Sequence, residues 1–106
     1  MAPLSAARRS APETMAGLSD RDVEARLAGG EWSREGEAIV REWKLADFAA
    51  AIAFVDRVAE LAERANHHPD ILVHGWNRVR LVLSTHSAGG ITAADFALAE
   101  QIDRLV

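Results

Sequence analysis

The sequence predicts an α+β fold, a four-stranded antiparallel sheet with helices packed on one face, in the order α-β-β-α-β-β-α. Three observations lead there. The stretch from Asp47 to Asn66 carries apolar residues at three- and four-residue steps, the period of a helix with one buried stripe. Two pairs of short strand-like segments each meet across a tight turn, which makes their members antiparallel neighbours. A length of 106 residues supplies the apolar material for one core and not for two.

Each element has a local signal. A first helix begins in "LSDRDVEARLAGG", where Ser19 is a good N-cap, Asp22 stands at the third helical position and Leu18 can staple onto Val23. Gly29 and Gly30 stop it. "EWSREGE" and "AIVREWKL" meet around Gly36 as a hairpin. Asp47 caps the long helix, whose buried stripe is expected at Phe48, Ile52, Val55, Ala59, Ala62 and Ala65. Pro69 disfavours helical backbone at His68, so this helix ends near Asn66 or His67. "DILVHGW" and "RVRLVLSTH" then read as strands, the second turning Val79, Leu81 and Leu83 toward the helices. After "SAGG", Thr92 caps a last helix with Asp95 at its third position and Ala94, Leu98, Ile102 and Leu105 as its buried stripe. Residues 1–16, rich in Ala, Ser and Pro and without periodicity, are expected as a flexible tail, and residues 17–106 as the domain.

Composition narrows the function classes. A formal charge of −4 offers no electrostatic drive toward nucleic acid or an anionic membrane, so neither is expected as a partner. The absence of cysteine excludes disulfides, thiolate metal sites and a Cys nucleophile, and is compatible with a cytoplasmic location. No apolar run approaches the roughly 20 residues that span a bilayer.

Chemistry concentrates at "ANHHPD". If the helix persists through its last turn, Glu63 and His67 are four apart on one face and the carboxylate can orient the imidazole. Pro69 forces His68 extended, so its ring faces elsewhere. His86, at the end of the last strand, and Asp95, nine residues on across a Gly-Gly turn, can converge on the same sheet edge, with Trp32 or Trp76 as a stacking wall. Taken singly, each has an ordinary structural reading: a surface ion pair, a capping acid, an idle strand-end histidine. Adjacent histidines rarely chelate one ion, and neither H-x3-H nor H-E-x-x-H occurs, so no metal site is expected.

Taken together, "ERANHHPD" from Glu63 and "LSTHSAGGITAADFALA" from Leu83 resemble the pterin-4a-carbinolamine dehydratases, with weaker agreement in "GEW" at Trp32 and in "AIVREWKLADF". The resemblance covers about residues 18–105. It implies dehydration of a 4a-hydroxytetrahydropterin, the spent cofactor of aromatic amino acid hydroxylases, to a quinonoid dihydropterin and water, with no metal or organic cofactor. By position it makes His67, His68 and His86 the catalytic set and Glu63 and Asp95 supporting acids. Asn66, Ser84, Thr85 and Ser87 would line the pterin pocket. Within that set His67 and His86 are expected to carry protons and His68 to hold the substrate. The family also implies a homodimer or homotetramer and a hydroxylase as functional client.

Relatives of this fold act as a dimerisation cofactor for a homeodomain transcription factor or as assembly factors for a carbon-fixing enzyme, so a non-catalytic binding role is the alternative. Two departures from the family pattern stand out. "DILVHGWNRV" is one residue longer than the usual segment, with Trp76 where Tyr is common, and the extra residue is expected as a bulge at Gly75. His74 has no counterpart and is expected to be exposed.

Overall fold

Capping side chains set where the helices start. In α1 (Asp20–Leu27) the Ser19 hydroxyl accepts the Asp22 N–H, and in α2 (Phe48–Ala65) Asp47 Oδ1 accepts the Ala50 N–H at 2.7 Å. Thr92 and Asp95 close a capping box on α3 (Ala93–Asp103). Between the helices lie β1 (Ser33–Glu35), β2 (Ala38–Lys44), β3 (Asp70–His74) and β4 (Arg78–Leu83), and a short 3-10 turn spans His86–Ala88. The computed structural model describes residues 16–106, so the expected tail lies, except for Ala16, outside the described residues.

The element order matches the expected one, and all four strands form one antiparallel sheet, β1-β2-β4-β3. Each hairpin contributes one central strand, β2 or β4. Their register pairs Ile39 with Leu83, Arg41 with Leu81 and Trp43 with Val79, and this row faces the helices. Val79, Leu81 and Leu83 are fully buried, as the alternation predicted. Phe54 of α2 meets the row at Trp43, ring centroids 4.9 Å apart, and Leu98 and Ile102 of α3 complete the core. Arg41 belongs to the same row: its guanidinium lies 4.6 Å above the Trp43 ring and bonds Asp103 Oδ1 at 2.8 Å. The same oxygen accepts Trp32 Nε1–H at 2.8 Å, which ties the end of α3 to the first hairpin.

Two helical stripes depart from expectation. The buried residues of α2 are Ala51, Phe54, Val58 and Ala62, one position off the predicted series over most of its length. Phe48, 55% exposed, and Ile52, 38% exposed, point outward with Ala59 and Ala65. This helix is apolar around more than half its circumference, so period alone does not choose the inner stripe. The sheet does, by seating Phe54 against Trp43. On α3, Leu98 and Ile102 are buried as predicted, joined by Asp95 and Ala99, while Ala94 is only half-buried, as is Leu105, which lies beyond the end of the helix.

At the β3–β4 tip the residue expected to bulge, Gly75, sits in the loop and not in a strand. Residues 75–77 lie between the paired His74 and Arg78, and Gly75 (φ 54°) and Trp76 (φ 60°) are both left-handed. Asn77 anchors the loop, its side chain donating to Leu45 O at 2.9 Å and its carbonyl accepting Leu45 N–H at 2.8 Å. The alternation of β4 is therefore undisturbed and no bulge forms. His74 is half-buried on the open face of the sheet, with Nε2 2.9 Å from Glu42 Oε1, and is not the freely exposed residue expected.

Candidate active site

The histidine pair sits just beyond a helix that is stopped by its own backbone. Asn66 adopts the left-handed conformation (φ 50°, ψ 44°), its N–H bonds Glu63 O, and His67 N–H bonds Ala62 O at 3.0 Å. This is a Schellman closure with asparagine, the side chain other than glycine that best tolerates it, at the left-handed position. The chain thus leaves the helical path before Pro69 acts. His67 comes off the face that carries Glu63, so the expected Glu63–His67 pair does not form. Glu63 instead reaches His68, Oε2 to Nε2 2.6 Å, in a largely exposed contact of the kind that contributes little to stability.

His67 turns inward to Asp95. Its Nε2 lies 2.5 Å from Asp95 Oδ1; the imidazole is 16% exposed and the carboxylate fully buried. A buried carboxylate is tolerated only when its lone pairs are engaged. Here Oδ2 takes the Thr92 N–H and the Thr85 hydroxyl, each at 2.9 Å. Thr85 Oγ1 also lies 2.8 Å from Thr92 Oγ1. Thr92 was legible in the sequence only as a cap; its contact with Thr85 depends on a loop closed by Thr85 N–H on Gly90 O at 2.8 Å and Gly90 N–H on Thr85 O at 3.3 Å. Gly89, at φ 70°, makes the reversal inside that loop.

A cavity of about 340 Å³ opens between this loop and the end of α2. Asn66, His67 and His68 line one side; Ser84, Thr85, His86 and Ser87 line the other. Its size suits a small organic molecule. His86 is exposed, stands in the 3-10 turn and not in the strand as expected, and has no side-chain partner among the described residues. The structure thus brings the three imidazoles of the sequence reading to one pocket, with Asp95 behind His67 and Glu63 outside beside His68.

The tryptophans are placed elsewhere. Trp32 is a core residue, edge-on to Trp43 at 5.7 Å, and borders a separate cavity of about 210 Å³ between α1 and α3. Trp76, 61% exposed, occupies the far tip of the β3–β4 hairpin, six residues beyond Asp70 and so up to about 20 Å along the strand from the histidines.

Three histidines around a small-molecule cavity, with one ring held by a buried aspartate at the margin of a single antiparallel sheet, define an acid–base pocket on an α+β scaffold. The family model for pterin 4 alpha carbinolamine dehydratase matches residues 16–105. The chain therefore belongs to the pterin-4a-carbinolamine dehydratase family. A provisionally named pterin-4-alpha-carbinolamine dehydratase of Chloroflexus aurantiacus is 54% identical over 90 residues, 84% of this chain and 96% of that protein. One of Nocardia farcinica, likewise provisionally named, is 53% identical over 89 residues, 83% of this chain and 93% of that one. Among solved structures, the transcriptional coactivator/pterin dehydratase of Brucella melitensis superposes with a TM-score of 0.78 at 32% identity, covering 83% of this chain and 96% of that one. A pterin dehydratase-like protein described as a RuBisCO assembly factor in the alpha-carboxysome gives 0.60 at 26% identity, covering 73% and 90%.

Proposed function

We propose that the protein is a 4a-hydroxytetrahydropterin dehydratase acting by histidine acid–base catalysis. The observation that carries this reading is the convergence of His67, His68 and His86 on one pocket with Asp95 buried behind His67. The reaction breaks the C4a–O bond of the substrate. The oxygen leaves as water, taking a proton from one imidazolium. A ring N–H gives its proton to a second imidazole, and the nitrogen lone pair forms the C=N bond of the quinonoid product. His67 and His86 carry these protons and His68 holds the substrate, because histidine both donates and accepts near neutral pH. The pterin stands between the α2 terminus and the residues 84–87 segment, and no metal or organic cofactor takes part.

The same reading places the protein in the cytoplasm beside an aromatic amino acid hydroxylase whose spent cofactor it recycles; among the described residues no helix is long and apolar enough to cross a membrane. A homodimer or homotetramer is expected, with exposed Phe48 and Ile52 of α2 among the apolar side chains that a second copy covers. Those exposed residues also favour the second reading, a binding role without catalysis.

The test is to generate the 4a-hydroxytetrahydropterin by hydroxylase turnover and follow its absorbance decay with and without the protein. Acceleration is expected, falling on the order of 10²–10⁴-fold in His67→Ala. No acceleration over spontaneous loss overturns the dehydratase reading in favour of the binding one.

A further inference from the structure

We propose that Thr85 and Thr92 are positioning residues that lock His67 in a single ring tautomer, with the proton on Nε2 and the lone pair of Nδ1 offered to the pocket. The inference deepens the dehydratase reading and, for its catalytic consequence, rests on it. It starts from counting protons in the buried network. An ionised carboxylate only accepts hydrogen bonds, whereas a hydroxyl has one proton to give. The Thr92 N–H is a backbone donor whose direction is set by the start of α3, and it lands on Asp95 Oδ2 at 2.9 Å. The Thr85 hydroxyl gives its single proton to the same oxygen at 2.9 Å. The 2.8 Å contact between the two threonine hydroxyls must then run from Thr92 to Thr85. Thr92 Oγ1 in turn accepts the Ala94 N–H at 3.2 Å.

Every proton in this run points toward Asp95 and none away from it. With Oδ2 filled by two donors, Oδ1 is left as an acceptor for His67 Nε2 at 2.5 Å, and Nε2 must carry a proton. In the neutral ring the lone pair is then on Nδ1. That nitrogen has no hydrogen-bond partner among the described residues, and it belongs to a ring that lines the cavity and is 16% exposed. The opposite arrangement, a protonated Asp95 donating to Nε2 with the ring proton on Nδ1, would present substrate with a donor in place of a base. The two donors held at Oδ2 fix the carboxylate with Oδ1 toward the ring, and the wild-type tautomer distinguishes the two arrangements.

Thr85 thus acts through Asp95, and its hydroxyl is spent before any substrate arrives. The assignment differs from a pterin-contacting role for that hydroxyl, and the two separate in kinetics. With histidine-selective ¹⁵N labelling, two-bond ¹H–¹⁵N correlations on the neutral ring distinguish the protonated nitrogen from the one with the lone pair. The expected wild-type spectrum shows His67 as Nε2–H alone. Thr85→Val, which keeps the shape and removes the hydroxyl, should give a mixture of tautomers. Its kcat should fall on the order of ten- to a hundredfold with KM within about twofold. Thr85→Ser should restore both.

A wild-type ring protonated on Nδ1 overturns the proposal, and so does a Thr85→Val protein whose tautomer and kcat match the wild type. A rise in KM at unchanged kcat also overturns it, in favour of direct substrate contact. The wild-type spectrum needs no variant, so an Nδ1–H ring overturns the proposal even if Thr85→Val does not fold. A protein with no dehydratase activity would refute the proposed function while the same spectrum still tests the lock.

Discussion

Replacing Asp95 by asparagine changes one oxygen into an NH2 group at almost no cost in volume, and the structure dictates which way the amide must face. The Thr92 N–H cannot turn, because it belongs to the backbone of the residue that caps α3, so the amide oxygen must take the Oδ2 position 2.9 Å from it. The NH2 group then points at His67 Nε2 across the 2.5 Å contact. Two donors cannot face each other there. The ring must move its proton to Nδ1, which turns the base away from the substrate. The bonds to Thr92 and Thr85 survive but lose their charge assistance, a loss of about 1–2 kcal/mol against the roughly 5–15 kcal/mol of a domain this size. The variant should therefore fold. Its kcat should fall on the order of 10²–10⁴-fold, equivalent to about 3–5 kcal/mol of barrier. Urea unfolding and the carbinolamine decay assay on the same preparation separate the two effects. A folded Asp95→Asn protein with wild-type kcat would refute the reasoning that His67 works through its aspartate.

His86→Ala should behave differently, because the ring is exposed and has no side-chain partner among the described residues: a urea midpoint within error of wild type, with activity down on the order of 10²–10⁴-fold. Asp103→Ala removes the shared acceptor of Trp32 and Arg41 and should cost about 1–3 kcal/mol in urea unfolding. It should leave kcat unchanged, since Asp103 lies two turns of α3, about 12 Å, beyond Asp95. Phe48→Lys with Ile52→Lys should lower the sedimenting mass without lowering helix content, as both side chains face outward from α2. An unchanged mass would place the contact between copies on another surface.

Much of the architecture was legible because it is written in local chemistry. Ser19, Asp47 and Thr92 cap helices in any context that lets a helix form, and the alternation of β4 leaves one choice of inward face. The residues that line the cavity, Asn66 to His68 and residues 84–87, were reached through the family resemblance of their two motifs and not through local chemistry. The inner stripe of α2 was not legible. Predicting Phe48 and Ile52 inside amounted to choosing between two apolar stripes of similar period, and only the position of Trp43 on the sheet selects Phe54.

Partners within the site were equally out of reach. A spacing of four suggested Glu63 with His67, but one left-handed residue at Asn66 redirects the ring, and its acid comes from a helix 28 positions away. Trp32 and Trp76 show the same limit: an aromatic near a motif in sequence is bound to the cavity only if the chain folds it there, and the core and the hairpin tip hold these two. Local signals settle which elements form and where they end, because caps, turns and periodicity act over a few residues. Which side chains meet depends on helix rotation and loop closure, and those are decided by packing between elements distant in the chain.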